Sequence, residues 1–375
     1  MGPSSSWWIA LHSNPRYIER MGTPKGGRVV LIIASIIVIG AGIKLSAPFL
    51  VPVLVAGFIA VVTAPIVLWL CDRGVSRTLA VSAALLLDVA AASAFGFPLA
   101  GALATFTQRI PFYASTLGAR MEAFEIWLAT HGLYLESIYD FSEPTWMVNL
   151  ATAMAQHAAS LISQIVLVLL IVAFVLFEVT GVREKLARIA SPSRIKDLSD
   201  TVQEVNAYLV AKTVMSVITG LLVFVWCWWQ GLDVPLLWGL LAALLNFIPT
   251  VGQIIAAVPA ILLALIQLGP GQALVVAAGF GGINLAIGAI EPRVMGRALG
   301  LSALSVLLSM VVWGWLLGPI GALLSAPLTM VIKHSLAQSA ELEWIAELLG
   351  PTPKPSRPNE KIKDEKDSPD ELSRA

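Results

Sequence analysis

Long apolar blocks, set apart by short polar ones, run through most of this chain. Residues 29–43 form the first block, closed by Lys44. Residues 45–70 form the second; it carries Pro48, Pro52 and Pro65 and ends in Cys-Asp-Arg-Gly-Val-Ser-Arg at 71–77. Further blocks lie at 79–106, 158–177, 213–229 and 273–290. About 20 mainly apolar residues make a helix long enough to cross a bilayer, so these six predict membrane spans. Residues 107–156 mix aromatic and acidic positions without a long apolar run, which predicts amphipathic helices lying on the membrane or projecting from it.

Two further apolar stretches, 235–266 and 301–332, are each broken in the middle. The first contains Asn246-Phe-Ile-Pro-Thr-Val-Gly252 and the second Leu317-Gly-Pro-Ile-Gly321. Irregular backbone at membrane depth survives only inside protein or beside a water-filled cavity. Paired interrupted segments therefore point to a solute pathway. Pro249, Gly252, Pro319 and Gly321 mark the breaks and read as residues that turn the chain and free carbonyls. A straight 32-residue helix would be about 48 Å long, well beyond a core of about 30 Å, whereas two half-helices fit a hairpin.

Loop charge chooses between two topologies. Loops 1–28, 71–77 and 183–212 carry four, two and six Lys or Arg, while 107–156 carries two against five acids. Basic loops stay in the cytoplasm. If both broken stretches are re-entrant hairpins, Arg293 and Arg297 and the tail also fall on that side. The expected fold is an all-α polytopic membrane protein with six full spans and two re-entrant hairpins entering from opposite faces. Eight full spans is the alternative. The expected layout is a basic cytoplasmic arm (1–28), spans 1–3 (29–106), the extramembrane segment (107–156), spans 4–6 with the hairpins (157–335) and a disordered cytoplasmic tail (336–375).

Composition agrees. The chain has 375 residues, 57% hydrophobic and 13% charged, against roughly a quarter charged in soluble domains. Its mean hydropathy is +0.81. Net charge is zero, so nothing suggests a nucleic-acid partner. Two isolated cysteines and four scattered histidines give neither a disulfide framework nor a metal motif. No nucleophile–base pair or phosphate-binding glycine loop is present, so no cofactor and no enzymatic activity are expected, and ATP does not drive the chain directly. Seams of small residues suit homo-oligomerisation or packing within one chain equally.

A few polar residues lie inside the blocks. Asp88 sits at mid-block on a seam of small residues, Ala80, Ala84, Ala92, Gly96 and Ala100. It suits a proton- or cation-coupling role, or a structural carboxylate paired with Lys44 or a backbone donor. Asn246 and Gln253 bracket the first break and Asn284 is expected to face them. These amides suit a polar solute or freed backbone groups. Glu291, Arg293 and Arg297 sit at the mouth of the 273–290 block, where a gate or a plain solvated loop is possible. Lys212 reads as a snorkelling residue near a helix start. Asn206, Thr213 and Gly220, with Ser216 adjacent, read as a helix–helix seam.

Several of these runs, taken together, resemble a known family. Tyr208-Leu-x-x-Lys212-x-x-x-Ser216-x-x-x-Gly220, Asn246-Phe-Ile-Pro-Thr-Val-Gly252, Glu291-Pro-Arg-Val-Met-Gly-Arg-Ala-Leu-Gly-Leu-Ser302 and Trp313-Gly-Trp-Leu-Leu-Gly-Pro-Ile-Gly-Ala-Leu-Leu-Ser-Ala-Pro-Leu328 are similar to the autoinducer-2 exporter, or PerM-type permease, family. The resemblance covers about residues 29 to 335. It implies a bacterial inner-membrane transporter, its members being linked to autoinducer-2 export or to sodium–proton antiport. Many members carry an acidic residue where this chain has Leu285 or Ala286, which weakens a cation site there. Proline often follows the Leu-Gly-Leu motif, where this chain has Ala303. The expected function is export of a small polar solute, with Na⁺/H⁺ antiport, a membrane scaffold and a membrane-embedded enzyme as competing readings.

Overall fold

The computed structural model describes residues 25–131, 164–179, 181, 192–249, 251–295, 300–339 and 341–351. Among them are eleven helices: α1 (Lys25–Leu45), α2 (Ala47–Asp72), α3 (Arg77–Thr130), α4 (Gln164–Val179), α5 (Pro192–Trp229), α6 (Pro235–Leu245), α7 (Val251–Gln267), α8 (Pro270–Met295), α9 (Ala303–Leu323), α10 (Ser325–Ala337) and α11 (Glu343–Leu349). Five are long and apolar enough to cross a membrane: α2, α3, α5 from Leu198, α8 to Glu291, and α9. The apolar parts of α1 and α4 are shorter, Ile33–Leu45 and Gln164–Val179. Large apolar side chains cover the outside; Leu285, Phe97 and Leu86 are 78%, 77% and 71% exposed. A soluble protein does not expose such continuous apolar surface, so this is a multi-pass membrane protein.

Two boundaries differ from those read in the sequence. The third block does not end at Phe106: α3 continues unbroken to Thr130, about 81 Å in all. Likewise α5 starts at Pro192 and runs through Lys212 to Trp229. In both cases hydropathy changes where the solvent changes, while the backbone remains helical. The expected disordered tail, 336–375, carries the end of α10 and all of α11 in its first part; residues 352–375 and the rest of the expected extramembrane segment lie outside the described residues.

α5 is the central helix, packed on α6, α8, α10 and α2. Its closest approach is to α6. A methyl group placed on Gly220 would stand 2.7 Å from the Gly239 carbonyl oxygen, and one on Gly239 would stand 2.8 Å from that of Gly220. Small residues let backbones meet this closely in a membrane. Of the interfacial tryptophans, Trp228 and Trp229 face outward, whereas the Trp226 ring lies against Gly279 of α8. The small-residue seam of α3 turns inward, with Ala80 and Ala84 buried in one cluster with Ala56, Ala60, Val172 and Leu176. Cys227 is buried in a second cluster with Trp238 and Tyr113.

Proline shapes α2. Pro65 has no N–H, so the carbonyl of Val61, four residues earlier, loses its helical donor. Asn206 of α5 supplies one, its amide nitrogen lying 2.6 Å from the Val61 oxygen. The sequence-level seam residue Asn206 thus repairs a broken helix while tying α2 to α5.

Each broken stretch begins and ends at the same place. The Asp233 N–H donates to Gln267 Oε1 at 3.0 Å, and Gln272 Nε2 donates to Gln230 Oε1 at 2.7 Å. Residues 230–235 and 267–272 therefore meet. A polar knot fixes the turn: Asp233 also pairs with Arg109 at 2.5 Å, accepts from Tyr113 at 3.1 Å and offers its carbonyl to Trp238 Nε1 at 2.9 Å. The knot holds Val234 in the left-handed region, φ 51°, which a β-branched residue adopts only when its surroundings compel it. At the second stretch, Lys333 Nζ donates to the Gly300 carbonyl at 2.5 Å and Ser302 N–H to the Leu349 carbonyl at 2.9 Å. His334, beside Lys333, lies 3.3 Å from Glu204 near the start of α5.

Candidate functional site

The first break is built by α6 and α7. α6 stops because Pro249 cannot donate to the helix and disfavours helical backbone at Ile248. The return into α7 needs Gly252, where a Cβ would stand 1.8 Å from the Leu245 carbonyl oxygen. At the tip, Asn246 is 2% exposed. It sits eleven residues into α6, about 16 Å along the helix. Its Nδ2 donates to Ser216 Oγ of α5 at 3.1 Å, and its Oδ1 accepts from Gln253 Nε2 of α7 at 2.5 Å. Ser216, Asn246 and Gln253 form one hydrogen-bonded line across three helices. Asn284, expected to face them, is half-buried on α8 and stands outside this line.

One turn along α5 from Ser216 is Lys212. It does not snorkel: it is 3% exposed, and its ammonium donates to Glu291 Oε1 of α8. The Glu291 side chain is 21% exposed. Tyr208, another turn on, is 3% exposed. Tyr208, Lys212, Ser216 and Gly220 are therefore one inward face of α5, each a turn apart. Glu291 pairs across to α5 and leaves Arg293 exposed at the end of α8; Arg297 lies outside the described residues. The Lys212 pairing escaped sequence reading, which placed Lys212 at a helix start and took Asn206, Thr213 and Gly220 as the seam; Thr213 is exposed.

The second break has its own polar set. Gly318 adopts φ 75°, ψ −160° inside α9, a conformation open only to glycine, and Pro319 follows. A Cβ on Gly321 would stand 2.2 Å from the Trp313 carbonyl oxygen. Trp313 Nε1 donates to Thr329 Oγ1 of α10 at 3.1 Å, and the Lys44 ammonium lies 4.2 Å from the Trp315 ring centre. Lys44 is thus engaged away from Asp88. The Asp88 partner is Thr63 of α2, whose hydroxyl oxygen is 2.9 Å from Oδ1. Among the described residues no cluster of His, Cys, Asp or Glu could hold a metal ion.

Comparison with known proteins gives a consistent result. Residues 33–341 match the model of a family described as "AI-2E family transporter". The chain is 38% identical over 334 residues to the AI-2 transport protein TqsA of Escherichia coli (strain K12), covering 87% of this chain and 96% of that protein. It is 34% identical over 340 residues to YhhT of the same organism, covering 88% and 97%. A relative from Haemophilus influenzae is 36% identical over 338 residues, covering 86% and 96%.

Proposed function

The chain belongs to the AI-2E family of transporters, and on that premise we propose that it is a secondary transporter exporting a small polar solute past the first break. The observation that carries this reading is the hydrogen-bonded Ser216–Asn246–Gln253 line across three helices. Amides both donate and accept, so they can exchange their mutual hydrogen bonds for those of a hydroxyl-rich solute. Resemblance to the AI-2 transport protein makes an autoinducer-2-like signal the first solute to test. Glu291 and Lys212 form the gate on one side of that line, with Arg293 at the end of α8 and Arg297 as further gate candidates; Asn284 lines the approach from α8.

The proposed topology has six spans (α1, α2, α3, α4, α5 and α8) and two re-entrant hairpins, α6–α7 and α9–α10, in the bacterial inner membrane with both termini cytoplasmic. The hydrogen bonds joining 230–233 to 267–272, and 300 to 333, support hairpins that return to the face they left. α8 runs between them, which supports their entering from opposite sides, an arrangement used by secondary transporters around a midplane site. Antiport of Na⁺ against H⁺ is the second reading, favoured by Asp88; there added Na⁺ would dissipate an imposed pH gradient while the solute panel stays still.

Proteoliposomes loaded with autoinducer-2 and a panel of similarly sized polar solutes test the proposal. At least one solute should leave faster than from protein-free vesicles, and Asn246→Leu should slow it at least about tenfold, the effect of some 1.4 kcal/mol at one polar contact. Equal efflux from wild type and Asn246→Leu would remove the break from the pathway.

A further inference from the structure

We infer that Asp88, Thr63 and the Ile59 carbonyl form a proton-binding site at mid-membrane. This deepens the transport reading, on which its coupling role rests, by naming the ion. Asp88 lies eleven residues after Arg77 on α3, about 16 Å along the helix and so near mid-depth. The Thr63 hydroxyl oxygen is 2.9 Å from Asp88 Oδ1 and 2.9 Å from the Ile59 carbonyl oxygen. A hydroxyl has one hydrogen and can serve only one of these acceptors well. With Asp88 ionised, Thr63 donates to the carboxylate. When a proton from water binds Asp88, the new carboxylic O–H donates to the Thr63 oxygen, and the Thr63 hydrogen turns to Ile59. The only bond formed is O–H on Asp88, and Asp88 Oδ1, the Thr63 hydroxyl and the Ile59 carbonyl, which also accepts within α2, each keep a partner in both states.

The surroundings favour a proton over a metal cation. A hard cation gathers about six oxygens, whereas here the two carboxylate oxygens and one hydroxyl are joined only by a carbonyl already bound within α2. Asp88 Oδ2 is buried without a hydrogen-bond partner. No charge stands close by on the helices packed against α3. α6 and α7 carry no charged residue; on α2 the titratable groups are Cys71 and Asp72, and on α4 Glu178. On α3 itself Arg77 is the nearest charge, three turns away, with Arg109 and Tyr113 farther off in the opposite direction. Asp72 is nine residues beyond Thr63, about 13 Å along α2. The same turn of α2 presents the Val61 carbonyl that Asn206 of α5 holds. A rearrangement at Thr63 therefore occurs where α2 is gripped by the helix that carries Lys212 and Ser216.

Infrared difference spectroscopy on the reconstituted full-length protein tests the site without any transported solute, so a failed solute assay and a failed proton site are separate results. A carboxylic C=O band should appear as pH is lowered, be lost in Asp88→Asn and stay unchanged when K⁺ is replaced by Na⁺ at fixed pH. Thr63→Val should move the titration of the band, and Thr63→Ser, which keeps the hydroxyl, should not. If Asp88→Asn does not fold, a displaced band in Asp88→Glu makes the assignment. No titrating band across the folded pH range, or a band abolished by Na⁺ at fixed pH, would overturn the inference.

Discussion

Glu291→Leu should destabilise the purified protein by about 3–5 kcal/mol, because it strands a buried ammonium without its counter-ion. Lys212 is 3% exposed and surrounded by helix; its flexible stem cannot reach water without repacking α5 against α8. Lys212→Met should cost less, since the Glu291 side chain it leaves behind is 21% exposed and can be hydrated or protonated. The double variant Lys212→Met with Glu291→Leu should recover most of the loss, as buried pairs are often replaced by apolar residues at little cost. Thermal unfolding in detergent orders the four proteins: wild type and double variant high, Lys212→Met lower, Glu291→Leu lowest. A double variant as unstable as Glu291→Leu alone would contradict the pairing. Recovered stability with lost solute efflux would place the pair in gating.

Gly252→Ala should be the most disruptive of the single-methyl substitutions at the first break. The added carbon would stand 1.8 Å from the Leu245 carbonyl oxygen and 2.7 Å from its carbonyl carbon, both main-chain atoms, so no side-chain rotation relieves it. The tip must open, and Asn246 then leaves Ser216 and Gln253. Overpacking of a tight core costs typically 1–3 kcal/mol, and here the loss of buried amide hydrogen bonds adds to it. Gly271→Ala, where nothing lies within 4 Å, is the control and should behave as wild type. Thermal stability and efflux of the two variants, measured together, check this; a Gly252→Ala protein as stable and active as Gly271→Ala would mean that the tip is loose.

Much of this was legible in the chain. The two proline–glycine breaks stood out because an apolar run interrupted at its centre is costly unless it is built in. The face of α5 was only partly visible: Asn206, Thr213 and Gly220, with Ser216 adjacent, read as the seam, whereas Thr213 is exposed and Tyr208, Lys212, Ser216 and Gly220 form the inward face. Pro65 was plain in the second block, and the structure shows that the carbonyl it leaves without a helical donor is that of Val61. What could not be read was which distant residue answers. Asn206 meets Val61, Thr63 meets Asp88 and Glu291 meets Lys212 across 145, 25 and 79 residues, and one sequence fixes no such pairing. Lys212 was misjudged because lysines near helix ends usually reach water, and its helix extends further than hydropathy suggested. The continuation of α3 to Thr130 was hidden for the same reason: apolarity reports the surrounding solvent and not the backbone conformation.

The proposed pathway is built on two hairpins that enter from opposite faces. Single cysteines in a background lacking Cys71 and Cys227 test it most directly, with a membrane-impermeant maleimide applied to intact and to permeabilised cells. Trp229→Cys and Gly271→Cys, which flank the first hairpin, should both label in intact cells. Leu304→Cys and Gln338→Cys, which flank the second, should label only after permeabilisation. Labelling of Trp229→Cys and Gly271→Cys from opposite sides would make the first stretch a full crossing and contradict the account.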